Sequence, residues 1–303
     1  MEMQTSRQVL HKKMEMGFSV RLHKFFVSAV DFWRRYKKTK TAVFGLVIIL
    51  IFAFIAINAS WLAPYDPYLI TRERFAPPSA KHWLGTDDMG RDILSRIIYG
   101  SRVSLSIGFI IAALSMTIGI VIGAVSGYFG GKVDTLLQRL VEMVQMLPSL
   151  VLIIVVLLLL GGGIDRIVII MGLLGWTGTA RVVRAEFLSH REREYVEAGK
   201  ALGFSKFHII FSEILPAVIP TVLVIMAMNI SGAILMEAGL SFLGLGDLSV
   251  ITWGQMLQNA QRWLSQAWWI SFFPGLAIFL TVLSFNLIGD GINDAINPYL
   301  KER

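Results

Sequence analysis

The chain has 303 residues, of which 55% are hydrophobic and only 16% are charged. A soluble domain usually carries about 25% charge, so this composition excludes an ordinary soluble enzyme and predicts an integral membrane protein. The formal net charge of +7 does not imply nucleic acid, because where charges sit matters more than their sum. The absence of cysteine excludes disulfides, thiol catalysis and Cys-ligated metals.

Residues 1–40 form a polar, basic leader ending in "FWRRYKKTK", and no cleavable signal peptide is evident ahead of the first apolar run. That run, residues 41–63, is long enough to cross a bilayer, which takes about 20 residues. A polar segment, 64–102, follows and is too long for a simple connection between helices. The second span is expected over Val103–Gly127. Within it Gly119, Gly123 and Gly127 recur at every fourth residue, a spacing that lines one helix face and lets a second backbone approach closely.

The next segment is amphipathic before Pro148 and fully apolar after it. It reads as a helix that enters from the membrane surface, kinks at the proline and then spans. A short, Gly-rich fourth span is expected near Ile167–Ala180, a fifth near Val218–Gly239 and a sixth near Trp268–Ile288. The expected architecture is therefore all-α and integral to the membrane, with six transmembrane helices. Its permease core covers 103–292 and a short tail covers 293–303.

Six spans place both termini on one side. About 20 of the 28 Lys and Arg fall in the leader, the second-to-third connection, the 190–216 loop and the C-terminal end. By the positive-inside rule those parts, both termini included, are cytoplasmic.

The loop 190–216 contains "EYVEAGKALGFSKFHIIFSEILP", with Glu194, Glu197, Lys200, Lys206 and Glu213 between two apolar runs. Ala201, Phe204, Phe207, Phe211 and Ile214 recur at helical spacing. Gly203 suits a left-handed turn ending one short helix, and Ser205 suits the cap of the next. Pro216 and Pro220 are expected to stop the amphipathic segment and begin the fifth span. A helix pair of this kind either rests on lipid headgroups or docks on a soluble partner, and both make the same pattern.

"EAGKALG" followed by "ILP" resembles the EAA motif of ABC importer permeases. Glu197, Ala198, Gly203, Ile214, Leu215 and Pro216 fill motif positions, and Gly199 stands where alanine is usual. "HWLGTDDMGRDILSRIIYGSRVSL" is similar to the external hallmark of the dipeptide, oligopeptide and nickel permeases. "LSFLGLG", "WGQML" and "FPGLAIFLTVLSFNLIGDGINDAINP" resemble their second-permease (C) type, with Asn293 and Asn297 in place of the common Arg and Asp.

The resemblance implies an importer in which this chain forms the translocation path with a homologous second permease. Two ABC ATPase subunits would supply ATP and magnesium, and an external substrate-binding protein would deliver the solute. The loop would seat in the ATPase, with Glu197 making a polar contact and Gly203 the turn. Short peptides are the first expectation for the substrate. Nickel chelates, haem and oligosaccharides are alternatives that no residue pattern decides among.

No enzymatic chemistry is expected of this chain, nor any cofactor or metal of its own. In "GYFGGKV" Ser126 and Val133 replace residues that a phosphate-binding loop needs. The five histidines are scattered without metal-ligand spacing, and Arg91 opposes a calcium loop in "TDDMGRD". A secondary transporter would need ionisable groups at mid-depth. Glu237 and Asp290 lie near expected helix ends, where solvation or capping accounts for them. Asn229 and Asn286 either face the path or hydrogen-bond a neighbouring helix, the second being favoured.

Overall fold

In a computed structural model, which describes residues 30–296, the chain is helical and the described residues contain no strand, only an isolated bridge between Thr86 and Asp92. Helix α1 (Lys40–Ile57) and the short α2 (Ala59–Leu62) form the first crossing. Most of the leader and the end of the tail lie outside the described residues. A helical turn over residues 30–36 precedes α1, and its Tyr36 hydroxyl donates to the carbonyl of Ala42 at 3.0 Å.

Helix α3 (Ile93–Phe129) begins at Ile93 rather than Val103. Its first turns carry Arg96 and Arg102, charges that argue against a lipid-exposed helix by composition. The structure removes that objection for Arg96, which is buried and hydrogen-bonded to the carbonyl of Pro67 and to Gln255 Oε1, both at 3.2 Å. Asp92 caps the helix, accepting from the Ser95 amide at 2.8 Å and from its hydroxyl at 2.7 Å. The other Asp92 oxygen lies 2.8 Å from His82 Nδ1. The end of the 64–102 segment is thus helix, and the rest folds over it as a polar cap.

The third crossing is two helices, α4 (Gly131–Gln145) and α5 (Ser149–Leu160), bent 72° apart at Met146–Pro148. The fourth is also double: α6 (Ile164–Leu174) and α7 (Trp176–Arg191) join at Gly175 and together extend well past Ala180. After the loop, α10 (Leu215–Phe242) makes the fifth crossing, and α12 (Trp269–Ile296) the sixth, running beyond residue 292. Helix α11 (Trp253–Ala260) folds back between them and buries Trp253 completely. Among the described residues, five helical stretches are long and apolar enough to span a membrane, six if the bent pair counts as one.

Helix α3 runs through the centre and touches the first, fourth, fifth and sixth crossings. Gly119, Gly123 and Gly127 face α7. A Cβ at each would fall 2.6 Å from Thr179 Cβ, the Ala180 carbonyl and Phe187 Cβ respectively. The two backbones approach because no side chain separates them. Burying such faces is what holds a membrane bundle together, since lipid offers no hydrophobic penalty to drive helices into contact.

Candidate functional site

The 190–216 loop lies at the opposite end of α3 from the polar cap, beside Phe129. Helix α8 (Glu194–Ala201) follows α7 after a two-residue link and is terminated by Gly203, whose φ is +83°. The Gly203 amide donates to the Lys200 carbonyl and the Phe204 amide to the Gly199 carbonyl, both at 3.0 Å. This pair of bonds is a Schellman closure, which needs a left-handed residue at the position Gly203 holds. A Cβ on Gly203 would meet nothing, so the need for glycine there is conformational and not a matter of space. Gly199 is buried, and a Cβ on it would lie 3.2 Å from the Phe204 ring.

Ser205 then caps α9 (Lys206–His208), its hydroxyl accepting from the His208 amide at 3.2 Å. The chain does not break at Pro216. A π-turn over Ile209–Ile214 leads directly into α10, with Pro216 in its first turn and Pro220 inside it. The wider i→i+5 turn adds a residue to the ladder. A spacing of three or four read across it therefore does not keep one face.

This corrects the single apolar stripe expected from the sequence. Ile214 turns fully inward with Val196, Ile209, Val218 and Phe187. Phe204, Phe207 and Phe211 are exposed, Phe207 at 75%, and the Phe207 and Phe211 rings stack at 5.9 Å. Leu202 is likewise exposed at 74%. Glu197 and Ala198 lie on the outer side of α8, Leu215 is half-buried and Pro216 is exposed.

Polar contacts tie the loop to the membrane helices. Arg191 reaches the carbonyls of Gly127 and Tyr128 at 3.5 and 3.4 Å, and the Lys206 ammonium lies 5.6 Å above the Phe129 ring. Tyr195 pairs with His190 Nδ1 at 2.9 Å, and partial desolvation pushes its phenol up. Beneath the loop, Arg184 makes a two-pronged pair with Asp134 at 2.6 Å for each bond, joining α7 to α4. The sequence reading missed that pair. Its only signal was an acid in the first turn of an amphipathic segment.

The remaining candidates lie in the bundle. Asn229 donates to Thr179 Oγ1 at 3.0 Å and lines a cavity of about 250 Å3 between α3, α5, α6 and α10. Asn286 donates to Ser231 Oγ at 2.9 Å and to the Val282 carbonyl at 2.8 Å. Asp290 is exposed. Glu237 is not solvated as expected: it is 1% exposed and accepts from Ser241 Oγ at 2.7 Å. The chain folds back over the end of α10 through α11 and covers it.

Residues 119–302 match the model of the family described as binding-protein-dependent transport system inner membrane component. Residues 29–78 match the N-terminal TM domain of oligopeptide transport permease C. The chain is 39% identical over 274 residues to the dipeptide transport system permease protein DppC of Bacillus subtilis (strain 168), covering 89% of this chain and 86% of that one. It is 38% identical over 258 residues to the nickel transport system permease protein NikC of Escherichia coli (strain K12), covering 84% and 93%. Among solved structures, the inward-facing MetNI methionine ABC transporter matches with a TM-score of 0.56 at 14% identity, over 68% of this chain and 98% of that one, a likeness of fold alone. The chain belongs to the binding-protein-dependent transport system inner membrane component family and is a multi-pass permease of the ABC importer type.

Proposed function

We propose that this permease carries short peptides inward, paired with a homologous second permease and driven by two ATPase subunits that dock on the 190–216 loop. ATP and magnesium would be held by those subunits, and an external binding protein would deliver the peptide at the capped end. The carrying observation is the loop itself. Its turn is fixed by Gly203, its aromatic side is left exposed, and its second helix is continuous with the fifth crossing.

Lipid is a poor account of the polar side, where Glu194, Glu197 and Lys200 are all exposed on α8. A groove in a protein can take the aromatic edge and pair the charges at once. On this reading Glu197 makes the polar contact, and Gly203, Ile214, Leu215 and Pro216 hold the shape. Gly119, Gly123 and Gly127 keep α3 and α7 moving together. The excess of Lys and Arg on the loop side supports cytoplasmic termini. The peptide assignment rests on the dipeptide relative; the nickel relative of similar identity keeps a metal chelate as the competing outcome.

The test is uptake of radiolabelled dialanine by vesicles holding the complete co-purified complex, with and without ATP, for the parent and for Gly203→Asp. ATP-dependent uptake that disappears in Gly203→Asp, with normal membrane insertion, is the expected result. Normal uptake in that variant removes the coupling assignment, and uptake of a nickel chelate but not dialanine replaces the substrate.

A further inference from the structure

The bend in the third crossing has a place that neither the coupling loop nor the packing faces explain. Helix α5 has 12 residues and rises about 18 Å, well short of the ~30 Å hydrocarbon layer. Its far end is fixed near the capped side, where the Gly163 amide donates to the Leu245 carbonyl at 3.1 Å. The break at Met146–Pro148 therefore falls inside the membrane thickness, towards the loop side. Pro148 is extended, with φ −57° and ψ 116°, so the helix cannot run through it.

A broken helix leaves its last carbonyls and first amides without helical partners. In the hydrocarbon layer, such backbone is tolerated only where it is buried in protein or lines water. Here the break borders space. A cavity of about 450 Å3 is lined by Gln145, Pro148, Ser149 and Thr177. It shares Ser149 and Leu174 with the cavity at Asn229, which also presents Ser115. Polar side chains, Gln145, Ser149, Thr177, Ser115 and Asn229, thus recur among apolar ones such as Leu147, Leu152 and Ile153 from the break to the middle of the bundle.

We infer that the break in the third crossing, with Gln145 and Ser149 on one side and Thr177 facing them, is the polar wall of the solute path on the loop side. Gln145 and Ser149 are positions where this chain meets the passing solute. A peptide suits such a wall, since its own amides can exchange water for these side chains and for the unpaired backbone at the bend. The inference rests on the importer reading, and on the peptide reading for the solute.

The chain has no cysteine, so single cysteines can be introduced into the native sequence. Gln145→Cys, Ser149→Cys and Val151→Cys would each be assembled into the complete complex in vesicles and treated with a charged, membrane-impermeant methanethiosulfonate. Val151 is exposed at 54% but points to the other side of α5 from Ser149. Positions 145 and 149 should label, position 151 should not, dialanine should slow labelling, and modification should abolish uptake.

A complex that takes up dialanine yet leaves both positions unlabelled overturns the inference. So does labelling in the isolated chain that vanishes in the complex, which would mean that a protein neighbour covers the bend. Full uptake after complete modification also overturns it. If the untreated parent complex fails to take up dialanine, the peptide reading fails by itself. Labelling at 145 and 149 but not 151 still decides whether the bend is water-lined.

Discussion

At the capped end of the bundle Arg96, Asp92 and His82 are buried and each has a partner within the chain. At the loop end Phe207, Phe211 and Leu202 stand exposed with little of the chain to cover them. Both ends hold residues of the wrong kind for their surroundings: charge inside at one, large apolar groups outside at the other. The capped end resolves the conflict internally, and a buried charge held this way leaves nothing over for a partner. The loop end leaves it open. A surface that stays apolar on a rigid scaffold is what a partner can complete, so substitutions at the first end should read out as stability and at the second as assembly.

The sharpest way to break that contrast is Arg96→Met. Removing one member of a buried charge cluster costs about 3–5 kcal/mol, because the Pro67 carbonyl and Gln255 Oε1 lose their buried donor and Asp87, 3.8 Å from Arg96, is left with Arg91 alone as a cationic partner. The expected outcome is a large fall in the unfolding temperature of the purified chain, measured by tryptophan fluorescence. An unchanged transition would mean that the cap is not self-supporting. Gly203→Val comes next. A β-branched residue in the left-handed region costs roughly 1–2 kcal/mol, enough to shift the turn and stop coupled ATP hydrolysis. Gly203→Asn, which tolerates that region, should retain most of it.

Phe207→Ser sharpens the contrast from the other side. It should leave the unfolding temperature in place while weakening ATPase binding by about 2 kcal/mol, measured by titration of the purified subunit onto the permease. A fall in thermal stability without loss of binding would reverse the assignment of that face. The smallest effect belongs to the exposed pair of Lys81 and Glu73. Its hydrogen bond to Lys81 holds the Glu73 carboxyl below the usual carboxylate range. The pair's contribution is therefore present at neutral pH and is lost as pH falls through the lowered value. Lys81→Ala should reduce that acid dependence to the smaller share that His82 supplies and change little else.

The apolar runs made the crossings legible, because nothing but lipid explains blocks of that length. The turn at Gly203 was legible as well, since a glycine followed by a serine cap has few other uses between helical segments. Two of the places where reading failed share one cause, a tertiary partner that overrides a local rule, and the third is a local change of helix type. Ile93–Arg102 looks like loop until the Pro67 carbonyl and Gln255 are seen to hold Arg96. Glu237 looks like a solvated helix end until α11 is seen to cover it. The apolar stripe from Ala201 to Ile214 looks continuous because a π-turn has no signature in residue spacing. For Asn229 and Asn286 the sequence favours a hydrogen bond to a neighbouring helix over the path; both side chains make such a bond, and Asn229 also borders open space.

The helical stretch from Lys206 to Phe242 has 37 residues, which at ~1.5 Å per residue makes a rod of about 55 Å. One end holds the exposed aromatic stack and the other reaches the edge of the polar cap. Tilting such a rod by about 10° about its middle moves each tip by about 5 Å in opposite directions. A lever of that length would convert a modest closing motion at Phe207 into an opening motion near Phe242, without any helix having to melt. Its compliance would be concentrated where the ladder is weakest, at Ile209–Ile214 and at Pro220, so the stiffness of two short stretches would set how much of the stroke arrives.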